Sequence, residues 1–160
     1  MSPPLQGFNF AVLDDPDFKE DSVREEIIAP LLWALGFASF GAAQIKRSVA
    51  LEHPFVSIGS VKRKINIIPD YLLCVDRRAV CALDAKTPTE DVIDPDHLSQ
   101  AYSYAVHRDV RANHYALCNG RRFVLFRTAD MSADPAFQFE LKDIASRWAE
   151  IKENLSPSAG

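Results

Sequence analysis

Cysteine and glycine are scarce in this sequence, at three and six of 160 residues, and so is any excess of positive charge. Cys74, Cys81 and Cys118 stand singly inside apolar segments with no Cys-x-x-Cys pair, which argues against a zinc site or a disulfide framework and fits reduced thiols in a core. No apolar run reaches the ~18 residues of a membrane-spanning helix. The amino terminus lacks the basic-then-apolar layout of an export signal, so no membrane partner is expected and the cytoplasm is the expected location. With 18 Lys+Arg against 22 Asp+Glu, the net charge of −4 predicts weak affinity for nucleic acid on charge alone. No internal repeat, base-reading helix or zinc-finger pattern is present, so any sequence specificity is expected to come from a partner.

What is present is a core: 48% apolar residues over this length suffice for one domain, 1–160, and not for two. Residues 1–17, with Pro3, Pro4, Gly7 and Pro16, and the Ser-Pro-Ser-Ala-Gly ending, with 155–160 beyond the last periodic residues, read as loose ends. Val23, Ile27, Leu31 and Leu35, flanked by Ile28 and Leu32, recur at helical spacing and predict a helix over 19–35. Gly36 is its cap, and Pro30 removes one backbone bond inside it. Residues 44–68 read as short extended segments interrupted by Pro54 and Gly59. Tyr71–Val75 and Ala79–Ala85, apolar on both faces, predict two central strands joined by Asp76-Arg77-Arg78. A helix over 96–108, a second strand pair at 113–118 and 122–127 around Asn119-Gly120-Arg121, and a terminal helix over 140–154 complete a mixed α/β sandwich.

Three ionisable residues stand out in that frame. If the first hairpin has a three-residue turn, Val75 pairs with Ala79 and the same register sets Asp70 opposite Asp84, while Lys86, two residues on, shares their face. Two opposed carboxylates are destabilising unless something cationic sits between them, and a divalent metal with oxygen ligands answers that need. A two-residue turn would instead place the acids on opposite faces. The plainer alternative is a structural acid, Asp84, neutralised by Lys86. Glu20 and Arg24, four apart on the first helix, predict by themselves a modest surface pair, and Gln100 and Tyr104 share one helix face.

Pro69-Asp70 followed by Asp84-Ala85-Lys86 resembles the signature of the PD-(D/E)xK nucleases. The likeness extends over about residues 18–128. Glu20, Arg24, Pro30-Leu31-Leu32, Leu35-Gly36-Phe37, Pro69-Asp70-Tyr71, Gln100-Ala101-Tyr102-Ser103-Tyr104-Ala105 and Asn119-Gly120 follow in the order of the N-terminal nuclease domain of type I restriction motor subunits, the HsdR N-terminal family. The resemblance implies an α/β fold with a restriction-endonuclease-like core, a mixed central β-sheet flanked by α-helices. It further implies a metal-dependent endonuclease that hydrolyses phosphodiester bonds of DNA in a restriction or defence setting. Asp70, Asp84 and the Ala85 carbonyl would bind Mg²⁺, for which Mn²⁺ would substitute, and Glu20 would approach the metal. Lys86 would position or activate the attacking water. Gln100 and Tyr104 match a QxxxY element and would support the site or contact nucleic-acid backbone, the alternative being a helix face bonded to its own sheet.

The sequence departs from the family in carrying Asp84 where Glu is commoner, which shortens the reach by one methylene. No helicase or translocase motor follows, so an ATP-driven role is not expected and a motor or specificity subunit would be supplied in trans. The alternative function is a non-cutting nucleic-acid-binding or assembly module of a larger restriction or repair complex. Among the basic clusters, Lys62-Arg63-Lys64 and Arg121-Arg122 are the best candidates for phosphate contact. Asp94, Asp96 and His97 could pass for a second metal site, but acids beside Pro95 read as a helix cap, and His53, His107 and His114 show no ligand spacing.

Overall fold

The protein is described by a computed structural model covering residues 2–48, 51–58, 61–67, 69–130 and 134–159, with the backbone alone for 51–58 and 61–67. In chain order, a 3-10 turn at Phe10–Asp14 leads into α1 (Glu20–Val23), a π turn (Arg24–Ile28) and α2 (Ala29–Leu35). Then come β1 (Ala43–Arg47), β2 (Leu51–Ile58), β3 (Val61–Ile67), β4 (Tyr71–Val75) and β5 (Arg78–Ala85). After α3 (Pro95–Val106) follow β6 (His114–Cys118), β7 (Arg122–Arg127), β8 (Phe137–Glu140), a 3-10 turn at Leu141–Asp143 and α4 (Trp148–Leu155). Six strands form one sheet in the order β1-β4-β5-β6-β7-β8, and β2 and β3 pair as a separate hairpin. Among the described strands only β5 and β6 pair in parallel, across the α3 crossover, so the sheet is mixed.

Each face of the sheet has its own core, as strand alternation requires. Leu73, Leu83, Ala116 and Leu125 pack with Val23, Ile27, Leu31 and Ile151, which places α1, α2 and α4 on one side. Leu72, Ala82, Leu117 and Phe126 pack with Ala101, Tyr104 and Ala105 of α3 on the other. Ile27, Leu31, Leu83, Leu117, Val124 and Phe126 are fully buried, each contributing about 1.5–3 kcal/mol. The three cysteines are free and buried, and burial pushes the thiols of Cys81 and Cys118 up to about 12, as expected of inert core residues.

The first hairpin corrects the expected turn. Val75 pairs with Arg78, not Ala79, because Asp76 and Arg77 both take positive φ (51° and 70°) and make a two-residue turn. That alone would send Asp70 and Asp84 to opposite faces. A bulge repairs it: Cys74 pairs with Ala79 but Leu73 with Cys81, so Val80 is an extra residue. Beyond it Tyr71 pairs with Leu83, and one step further along that register Asp70 meets Asp84.

Other expectations change in detail. The first helix runs where the apolar spacing puts it, and its cap is as read: Gly36 takes φ +107° and the Phe37 N–H reaches the Leu32 carbonyl at 3.0 Å. Ahead of Pro30, however, the helix widens into the π turn, which makes room for the proline ring against the preceding carbonyls. The terminal helix starts at Trp148 and not at 140. Residues 137–140 are the edge strand β8, and the buried Leu141 and Ile144 lie in 3-10 and irregular turns. Residues 1–17 are not simply loose, since Leu13 is buried and Leu5, Phe8, Phe10 and Val12 pack on the core. Within 155–160, Pro157–Ala159 form a 3-10 turn, and Pro157 lies beside Gly36.

Gly120 ties the second hairpin turn to this amino-terminal segment. Its φ is +87°, and an added Cβ would meet Leu13 Cδ2 at 2.9 Å and Ile27 Cδ1 at 3.1 Å. Backbone strain and overpacking therefore act together at this position. Gly120→Ala is expected to lower stability by about 2–4 kcal/mol in denaturant unfolding, against about 1 kcal/mol for Gly7→Ala, where φ is also positive (+76°) but nothing lies within 4 Å.

Candidate active site

Asp84 and Ala85 close β5, an interior strand, and alternation turns Asp84 with Ala82 toward α3 while Leu83 and Ala85 enter the opposite core. Asp70 precedes β4. Its Oδ2 accepts the Ala85 N–H at 2.8 Å, and its Oδ1 accepts from Arg24 Nη1 at 3.1 Å. The hydrogen bond from Ala85 to Asp70 and the register of the hairpin bring the Asp70 carboxyl beside Asp84. The backbone N–H of Lys86 is held by the Cys118 carbonyl at 2.9 Å. Its Nζ lies 3.0 Å from Asp84 Oδ2 and donates to Gln100 Oε1 at 3.2 Å. Asp84 is 5% and Lys86 9% exposed, so two opposite charges are buried together, each made tolerable by the other.

The helices supply the rest of the surround. Arg24 Nη1 also lies 3.4 Å from Glu20 Oε1, so one guanidinium links the acid of α1 to Asp70, and the Tyr71 hydroxyl donates to the Arg24 carbonyl at 3.2 Å. Burial first, and the field of Asp70 next, raise the Glu20 carboxyl above its ordinary value. Tyr104 is buried on α3, and its phenol is pushed up to about 12 by burial and then by Asp84, Asp70 and Glu20, which places it in the field of all three acids. Glu20, Arg24, Asp70, Asp84, Lys86, Gln100 and Tyr104 are thus brought to one place from α1, the π turn, α3 and the ends of two strands.

The same architecture occurs in a solved structure. The chain is similar in fold to a fragment assigned as an HsdR subunit of a type I restriction enzyme from Vibrio vulnificus YJ016. The TM-score is 0.55 at 19% identity, over 93% of this chain and 27% of that one. No family model matches the chain, and no curated protein matches it. At that identity the likeness carries the fold: an α/β domain whose mixed sheet and flanking helices are those of a restriction-enzyme fragment. The chain spans about a quarter of the HsdR fragment's length.

Within this HsdR-like fold, the other singled-out residues take different places. Arg121 donates to the carbonyls of Pro88 and Leu13, both at 3.0 Å, and pairs with Asp14 at 2.8 Å, which explains how the amino-terminal turn is held. Arg122 donates to Gln138 on β8, at 3.0 Å from Nε and again from Nη2. These contacts are with protein acceptors, and none is with Asp70 or Asp84. Lys62, Arg63 and Lys64 lie on β3, and their side chains, like that of His53, fall outside the described residues. Asp94 caps α3 by accepting the Asp96 N–H at 2.9 Å, and His97 pairs with Glu90 at 2.9 Å.

Among the described residues no three His, Cys, Asp and Glu side chains make a metal cage. What could hold a cation is the Asp70–Asp84 pair, two hard oxygen donors set opposite each other. That set suits an ion which keeps its own waters, as Mg²⁺ does, better than one that needs a full protein shell.

Burial, followed by the hydrogen bond and charge of Asp70, pushes Asp84 up to about 7 against the opposing pull of Lys86. A raised carboxyl binds its proton more tightly in the folded state. Its contribution to stability is therefore complete below about pH 4 and lost as pH rises through about 7. Asp84→Asn, which does not titrate, should gain stability over the wild type across that window, by roughly 1–3 kcal/mol at pH 8 relative to pH 4. Melting of both proteins in chelator at each pH checks this, and a difference independent of pH would contradict it.

Proposed function

We propose that the chain is a PD-(D/E)xK-type, metal-dependent endonuclease domain that hydrolyses phosphodiester bonds of DNA. The observation that carries this reading is the register that sets Asp70 opposite Asp84, with Asp70 bonded to the Ala85 N–H at 2.8 Å and Lys86 lying 3.0 Å from Asp84 in a buried setting. A fold that sets two carboxylates against each other and provides a lysine beside them has the parts of a cation-assisted phosphoryl-transfer site. Asp70, Asp84, the Ala85 carbonyl and Glu20 would hold Mg²⁺ or, in its place, Mn²⁺. When bound, that ion supplies neutralising charge for the phosphate and lowers the pKa of water.

The protein's own groups do the remaining work. Lys86, fixed by Asp84 and Gln100, presents its ammonium to the attacking water and to the charge that grows on the phosphate. The Ala85 N–H orients Asp70 by holding Oδ2. Arg24 neutralises Asp70 through Oδ1 and must share that oxygen when a cation enters. Tyr104 and Gln100 form the α3 wall. The β2–β3 hairpin, which carries Lys62, Arg63 and Lys64, is rooted at the site, because the Ser48 N–H donates to the Asp70 carbonyl at 3.0 Å. Those lysines and arginine are the groups proposed for backbone phosphate. A motor or specificity subunit of a type I restriction complex is the proposed partner, as the HsdR neighbour suggests.

The second reading is a non-cutting nucleic-acid-binding or assembly module. It is favoured by the Arg24 guanidinium on Asp70 and by the net charge of −4. Supercoiled plasmid separates the two. Wild-type protein should nick it with Mg²⁺ or Mn²⁺ and not in chelator, and Asp70→Asn, Asp84→Asn and Lys86→Ala should each lose at least ~10²-fold in rate while remaining folded by circular dichroism. Mn²⁺ at about 100 times its Kd should stabilise the wild type by about 2.7 kcal/mol. A folded wild type that neither nicks nor shifts with Mn²⁺ leaves the module reading.

A further inference from the structure

A groove of about 360 Å³ opens beside Asp70, walled by Arg24, Glu25, Trp33, Arg47, Asp70 and Tyr71 over the buried Ala29. Trp33 lies one helical turn beyond Ala29 on α2 and is 53% exposed, although its chain neighbours Leu31, Leu32 and Leu35 are buried. Arg47 ends β1 opposite Tyr71. Its guanidinium lies 6.0 Å above the Tyr71 ring, and its Nη1 donates to Ser39 Oγ at 3.3 Å, so two contacts orient it. Ser48 then takes φ +49°, turning the chain out of the sheet at the groove's rim.

We infer that this groove is a nucleotide subsite adjoining the cutting centre, in which a base stacks on Trp33 and its phosphate is held by Arg47. The inference rests on the nuclease reading for the identity of the occupant. The pairing of surfaces favours a nucleotide: an aromatic face left open to solvent suits a base of any sequence, and an oriented guanidinium at the other wall suits the phosphate one unit along. The position favours a specific nucleotide. Asp70 belongs both to the groove and to the acid pair, so a strand lying in the groove delivers its next phosphate to Asp70 and Asp84. None of this needs base-edge contacts, in keeping with a site that takes its sequence specificity from elsewhere.

The indole is also the reporter, since the only other tryptophan, Trp148, is 5% exposed in the core. The test titrates the Lys86→Ala variant of the whole 160-residue chain in Ca²⁺ with a fluorescein-labelled eight-nucleotide oligodeoxythymidylate, reading anisotropy with the labelled strand and tryptophan emission with the unlabelled one. Binding should quench the emission. Adding Trp33→Leu should abolish the quench and weaken binding roughly 5- to 100-fold, and Trp33→Phe should recover part of the loss. Arg47→Ala should weaken binding at low salt and flatten its salt dependence.

The inference is overturned if the oligonucleotide binds with unchanged emission and equal affinity for Trp33→Leu, or if it does not bind at about 1 mM. Either result would leave Trp33 to a protein contact. Plasmid nicking by wild-type protein is scored in parallel. Nicking without the Trp33 effects removes the groove and keeps the nuclease, whereas the Trp33 effects without nicking remove the nuclease and keep the groove.

Discussion

Two carboxylates set opposite each other inside a protein are an unstable arrangement, and the folding of this chain around Asp70 and Asp84 is arranged to maintain it. Three neighbours offset part of the repulsion. The Ala85 N–H and Arg24 each take one oxygen of Asp70, Lys86 takes an oxygen of Asp84, and burial, followed by the remaining repulsion, keeps Asp84 prone to hold a proton. These neighbours come from a π turn, a strand terminus and the residue after it, so the acid pair depends on the packing of both layers. The central place of β5, covered on both faces, supplies the rigidity; an edge strand could relax and let the acids part.

One residue of length decides whether the pair exists. The tight turn at Asp76-Arg77 brings β4 and β5 together in a register that would separate the acids, and the extra residue Val80 shifts it by one. A bulge also increases local twist. The two features together let a hairpin with the strongly favoured turn geometry present Asp70, Asp84 and Lys86 on a single face, toward α3.

Much of this was legible in the residues. Apolar spacing in 23–35 placed the first helix, the β-rich runs placed β4 to β7, and Asp84-Ala85-Lys86 showed by alternation which residues share a face. The pairing of Asp70 with Asp84 was reached through a wrong turn length, because a turn and a bulge change register by equal amounts and only their sum determines the far end of the hairpin. The edge strand β8 escaped notice since four residues are too few for a periodic signal. The amino-terminal segment read as loose because prolines interrupt its pattern, yet Leu13 and its apolar neighbours pack on the core and a distant side chain, Arg121, bonds Leu13, Asp14 and Pro88. The bond from Asp70 to the Ala85 N–H was equally out of reach: no local pattern encodes a side chain that reaches across a hairpin to the end of the neighbouring strand.

The distribution of positive charge follows from the same constraint. In an acidic chain, Arg24 and Lys86 are turned inward to compensate the acids of the site, and Arg121 and Arg122 bind protein oxygens. Few of these cations can act as a long-range field for a polyanion, and exposed charges more than about 10 Å apart are in any case screened at physiological salt. Under the proposed function, affinity for a strand would have to arise at short range, from stacking, from oriented guanidinium groups such as Arg47, and from the ion between Asp70 and Asp84. A domain built this way would cut what is brought to it and would leave the search for targets to whatever holds it on DNA.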